Sequence, residues 1–277
     1  MGAGGPKDWV TITDNPSGKE VYNGFFLAKK GAKYGYENSR TVPMLVRLPA
    51  SVDSSSGGQC WSHAEKWGPL SGTVIHTSYS RCAAFYCFIQ DIEPYPNGFA
   101  VRFPFDLDSG AMRPRLHPID NQVYITCHKG WDTNAPLDGV IYRVRHAEED
   151  MVGVCDAAVT GSGIRLTFAA DLDPASVKSS AFRAFREDDS KKGPKPPAYE
   201  LGKARLINPR TVEINVPGIE KESLANRTDE KGNVKVGDEF IINQQTGDVS
   251  GDAFKKSVSS DCKSLCEHAL GASEGAG

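Results

Sequence analysis

Histidines and arginines supply the first chemistry this chain offers. His76 sits inside the apolar run TVIHTSY, where a period of two places Val74, His76 and Ser78 on one face and Ile75 and Thr77 on the other. An imidazole facing an open channel serves as a general base near neutral pH, whereas one facing a core is a hydrogen-bonded packing element. Arg113 and Arg115 flank a proline just ahead of the strand-like NQVYITC. Their planar forks suit carboxylates; in the plainer reading they are a solvated pair, or partners of the acidic DLDSG loop at 106–110. His117 and His128 adjoin turns, and neither has metal-ligand spacing to another His, Asp or Glu. His63 shares a polar loop with Trp61 and Trp67, whose indoles either stack on a sugar or simply pack.

Of the seven cysteines (Cys60, Cys82, Cys87, Cys127, Cys155, Cys262 and Cys266), an odd number, not all can pair within the chain, and none shows C-x-x-C spacing. Cys82, Cys87 and Cys127 lie in apolar runs and read as small buried hydrophobes. Between Cys262, Cys266 and His268 each gap is one residue too long for covalent c-type haem attachment, so no haem is expected. SSSGG at 54–58 lacks the spacing of a phosphate loop and no helical pattern follows it.

The elements that must position these groups are strands. GTVIHTSY, AAFYCFIQDI, GFAVRFPF, QVYITCH and GVIYRVRH are short runs rich in Val, Ile, Tyr and Phe, each bounded by turn residues. No comparable helix of three turns precedes residue 250. With 28 glycines, 17 prolines, 39% hydrophobic and 24% charged residues, the composition fits an all-β, turn-rich protein and excludes wholesale disorder and a long coiled coil. A net charge of −3 gives no basic surface for nucleic acid. No run approaches the length of a membrane-spanning helix, and MGAGGPKDWVTITDN lacks the apolar core of a signal peptide.

A boundary is expected near 147–153, at the acidic run Ala147-Glu148-Glu149-Asp150. Beyond it, Ile164–Phe168 reads as a strand, Asp171-Leu172-Asp173-Pro174 opens a short helical patch, and Phe182–Phe185, Tyr199–Leu206, Val212–Val216 and Glu239–Ile242 read as strands. REDDSKKGPKPP at 186–197 is a solvated insert. Residues 153–245 have the size of one immunoglobulin-like sandwich, and 246–277 read as a flexible tail.

Three stretches are more specific: VDSSSGGQCWSHAEKWGPLSGTVIHTSYSRC at 52–82, AVRFPFDLDSGAMRPRLHPIDNQVYITCHKGW at 100–131, and DGVIYRVRH at 138–146. In this order they resemble the closing part of the β-propeller in large bacterial proteins of the glucose/sorbosone dehydrogenase-like group. LTFAADLDPASVKSSAFRAF, from residue 166 onward, resembles the opening of the immunoglobulin-like modules attached to that propeller. The resemblance implies a partial propeller of about three blades over residues 1–147, followed by the sandwich. It also implies a quinone-dependent sugar dehydrogenase, periplasmic or secreted, holding pyrroloquinoline quinone with calcium. In that reading His76 is the base on the sugar hydroxyl, and Arg113 and Arg115 bind the quinone carboxylates around one common concavity. The competing expectation is a non-catalytic propeller-plus-sandwich module that binds carbohydrate or a partner protein.

Two departures from the family pattern matter. A complete propeller of this type needs about six blades of roughly 40–45 residues, so this chain is expected to be the C-terminal half of a longer protein or a truncated relative. Exposed blade edges then call for the missing half or another chain. Ser80 and Asn121 replace glycines of the motifs, and Asn tolerates the left-handed backbone that its turn requires.

Overall fold

The computed structural model describes residues 9–14, 22–34, 42–91, 96–146, 152–160, 162–184 and 198–217. All its regular ladders are antiparallel. They form four sheets, each built from strands close together in the sequence. Strands β1 (Thr11–Asp14), β2 (Tyr22–Leu27) and β3 (Val46–Pro49) make the first sheet in simple order. The second is a four-stranded meander of β4 (Ser56–Trp61), β5 (Val74–Ser78), β6 (Ala83–Gln90) and β7 (Asn97–Arg102). A third meander follows, β8 (Gly110–Leu116), β9 (Val123–His128) and β10 (Gly139–Val144). The fourth sheet has the order β11-β12-β14-β13, with β11 at Val154–Thr160, β12 at Gly163–Phe168, β13 at Ala204–Asn208 and β14 at Thr211–Asn215.

The second sheet organises the rest because it is covered on both faces. Along β5 every residue is buried, as expected of a central strand between two apolar layers. Trp61, Val74, Phe85 and Cys87 pack with Phe25, Leu45 and Leu48 of the first sheet and its approach. Cys60, Ile75, Tyr86 and Val101 point the other way and share a core with Val123 and Ile125 of the third sheet. Close stacking there depends on two glycines. A Cβ at Gly57 would overlap the Ala111 carbonyl oxygen, and one at Gly58 would lie 2.7 Å from that of Met112. Bare backbone in β4 thus lets β8 lie directly on it.

Among the described residues no strand before 147 pairs with one after 153. The apolar core is nevertheless continuous across that point. Val154, Leu166, Phe168, Val212 and Ile214 belong to the same buried cluster as Tyr86, Phe103 and Ile125. The Gln90 amide adds a polar link, donating to Asp156 Oδ1 at 3.1 Å and to the Ala157 carbonyl at 3.0 Å.

The fourth sheet carries part of the expected sandwich. Asp173 caps the short 3-10 turn at Pro174–Ser176 by accepting from the Ala175 amide at 2.9 Å, as the Asp-Pro pair predicts. Phe182 ends a second 3-10 turn, Ser179–Ala181, and 182–184 join no ladder, so the strand expected over Phe182–Phe185 is not formed at its described residues. Phe182 and Leu206 are half-buried at the rim of the core. Among the described residues after 153 the fourth sheet is the one sheet formed, so the expected two-sheet sandwich is not completed there. Phe185, Glu239–Ile242 and the tail at 246–277 lie outside them.

Candidate functional site

His76 occupies the middle of β5 and has no exposed surface. The alternation along β5 turns it toward the first sheet, where its ring lies 5.6 Å from that of Phe25 and 6.2 Å from that of Phe85. Its Nε2 is 2.9 Å from Asp53 Oδ2, and Asp53 is equally sealed. The Gln59 amide nitrogen approaches Nδ1 at 3.4 Å. The Nε2–H donates to the carboxylate, and the Gln59 amide group faces Nδ1. Ser56 Oγ donates a second hydrogen bond to Asp53 Oδ2 at 2.6 Å, and Asn23 Nδ2 holds the Asp53 carbonyl at 2.6 Å. Cys87 shares this face; burial, and then the Asp53 charge, push its thiol well above the usual range.

Arg113 and Arg115 lie elsewhere. Both are exposed on β8, which packs against the opposite face of the second sheet, where Thr77 Oγ1 donates to the Met112 carbonyl at 3.3 Å. Arg113 donates to the carbonyls of Gly57 and Met112, and Arg115 to that of Pro114 at 2.7 Å. The acidic loop takes other partners. Asp106 pairs with Arg102, and Asp108 accepts from the Tyr142 hydroxyl at 2.9 Å. His76, Arg113 and Arg115 therefore do not converge on one concavity, which corrects the expectation of a shared cofactor mouth. The physical reason is the pleat: residues 76 and 77 face opposite layers. A sealed imidazole and two forks bound to backbone carbonyls do not fit a quinone and its carbinol substrate. Among the described residues no group of three His, Cys, Asp or Glu side chains is placed to hold a metal ion.

Trp61 and Trp67 are 2% and 1% exposed and pack in the core, with Trp67 Nε1 donating to the Asn121 carbonyl at 2.8 Å. Asn121 has φ 58°, the left-handed turn its side chain tolerates. Around that turn stands a polar knot. Asp120 Oδ1 accepts from the Gln122 amide at 2.9 Å and lies 3.1 Å from His117 Nδ1. Its Oδ2 accepts from the Tyr124 hydroxyl at 2.9 Å and lies 3.2 Å from Arg143 Nη2. The Gln122 amide first, then Tyr124, His117 and Arg143, hold the Asp120 carboxyl below its usual range. A carboxylate lowered in the fold contributes stability above its unfolded value, and the contribution is lost as pH falls through the lowered one. Acidification below the ordinary carboxylate range is thus expected to release this turn. In pH-dependent NMR the Gln122 amide should shift with a midpoint below that of a free aspartate. A midpoint at or above the free value would remove the assignment.

The site with the most open chemistry was not singled out in the sequence. Trp131 follows β9 and is 55% exposed, yet it is held firmly. Its indole stacks on the buried Tyr79 ring at 4.2 Å and 27°, with the His128 ring edge-on at 5.2 Å. The Tyr79 hydroxyl accepts from the Gly130 and Trp131 amides, both at 2.9 Å. Ser80 Oγ donates to the Asp132 carbonyl at 3.0 Å, and Thr133 Oγ1 to the Tyr79 carbonyl at 3.2 Å. The loop bearing Trp131 is therefore fastened at several points to the β5–β6 turn, and exposed Lys129 and Asp132 flank the indole in sequence. A flat, fixed aromatic plate beside polar side chains can stack on a ligand ring while hydrogen bonds set its orientation. Compared with known proteins, the chain matches no family model, no curated protein and no solved structure.

Proposed function

We propose that this chain is a non-catalytic module that binds carbohydrate, assembled from propeller-type meanders with an immunoglobulin-like segment behind them. One observation carries the reading: Trp131 is more than half exposed and yet stacked and hydrogen-bonded into a single position. A sugar presents an apolar C–H face to such a plate, and little entropy is lost because the plate is already ordered. The stacked meanders support kinship with the sorbosone dehydrogenase-like propellers at the level of scaffold, which would place the protein in the periplasm or outside the cell. The sealed position of His76 speaks against the dehydrogenase chemistry itself.

Titration of the full chain with cello-, malto- and chito-oligosaccharides, followed by tryptophan fluorescence and calorimetry, tests the proposal. Saturable binding to one series is expected, weakened at least about tenfold in Trp131→Ala, a factor worth about 1.4 kcal/mol. Folding stability in that variant should fall by no more than about 1.5 kcal/mol, the scale of one aromatic pair. Binding that survives the substitution, or no binding to any series, would overturn the assignment.

A further inference from the structure

Five large apolar side chains are exposed among the described residues, and four of them, Ile119, Trp131, Leu137 and Ile141, belong to the third sheet and its loops. Ile119 is 85% and Ile141 69% exposed. The sheet order is β10-β9-β8, so β10 is its outer strand, and among the described residues nothing pairs with the far edge. Its ladder with β9 runs from Gly139–His128 to Val144–Val123 without a bulge. Along β10, Gly139, Ile141 and Arg143 are exposed, while Val140, Tyr142 and Val144 are half-buried. An unpaired edge without proline, bulge or inward charge is a template for another strand.

The charges on this edge say what kind of strand fits. Arg143 lies over the Tyr124 ring, its carbon 5.9 Å from the centroid, and is fixed by Asp120. Both Asp120 oxygens are already taken, and Arg145 follows, exposed. The exposed row therefore reads apolar at 141 and cationic at 143 and 145. A second copy pairing antiparallel about Ile141 would set Arg143 opposite Gly139 and Arg145 opposite Leu137, giving neither a carboxylate. Parallel pairing would set like charges side by side. We propose that β10 accepts an extended segment of a partner protein as an added strand, apolar opposite Ile141 and acidic opposite Arg143 and Arg145.

Hydrogen exchange on the full chain tests this with the blocked peptide Glu-Val-Glu-Thr-Val-Thr-Gly, written to lie antiparallel to residues 139–145, and its control Lys-Val-Lys-Thr-Val-Thr-Gly. The β10 amides not bonded to β9 should exchange freely in the chain alone and slow about tenfold or more with the acidic peptide only. Arg145→Glu should abolish that slowing, whereas Trp131→Ala should leave it unchanged, which separates this edge from the carbohydrate site. Protection in the chain alone would overturn the proposal, meaning cover by the chain itself if independent of concentration or a second copy if it grows with concentration. Equal slowing by both peptides, or by neither, would overturn it as well.

Discussion

Asp53→Ala is expected to destabilise the protein by about 3–5 kcal/mol, the range for removing one member of a buried pair. The carboxylate is fully buried and receives the His76 Nε2–H and the Ser56 hydroxyl. Alanine would leave the His76 Nε2–H without its acceptor in an apolar layer formed by Phe25, Phe85 and Val74. The effect belongs to an unpartnered donor more than to a lost attraction, and a second variant separates the two. Replacing both members, Asp53→Leu with His76→Phe, removes the polar groups together and should recover most of the loss, since apolar substitutes for a buried pair are often neutral. Urea denaturation measures both, with the slope unchanged if the unfolded state is unaffected. A loss under about 1 kcal/mol in the single variant would show that the pair is not sealed.

Phe168→Ala should cost a similar amount, about 3–5 kcal/mol, by removing a large side chain from a packed interior. Phe168 is 5% exposed, and the cluster it belongs to runs on into the second and third sheets. The four tryptophans, Trp9, Trp61, Trp67 and Trp131, all precede the acidic run, so indole fluorescence reports only the first three sheets. Because the core is shared, the fluorescence transition should shift with the substitution as far as the circular dichroism transition does. A fluorescence midpoint that stays fixed while the dichroism midpoint drops would mean that the fourth sheet unfolds independently.

Strands with alternating β-branched and aromatic residues were legible in the chain: β5, β6, β9 and β10 fall within runs that read as extended, and β7 and β12 exceed theirs by one residue. β4 and β8 were not. β4 begins Ser-Gly-Gly because another strand lies against it, and that need is invisible without the partner. β8 contains Pro114, which argues against a central strand, yet β8 is the last strand of its sheet, where a missing N–H is tolerated. The face on which His76 lies followed from the alternation. Whether that face met solvent or a core did not, because Phe25 belongs to another sheet and Asp53 to a loop. Trp131 went unnoticed for the same reason: the tyrosine that fixes it lies 52 residues earlier.

The described thiols are all free, and Cys60, Cys82, Cys87 and Cys127 are buried. Burial raises Cys60 and Cys127 to about 12, so almost no thiolate forms at neutral pH to attack an oxidant or a disulfide. The described sheets owe nothing to a sulfur cross-link. A reducing medium therefore has no described bond to break, and should leave these sheets as they are.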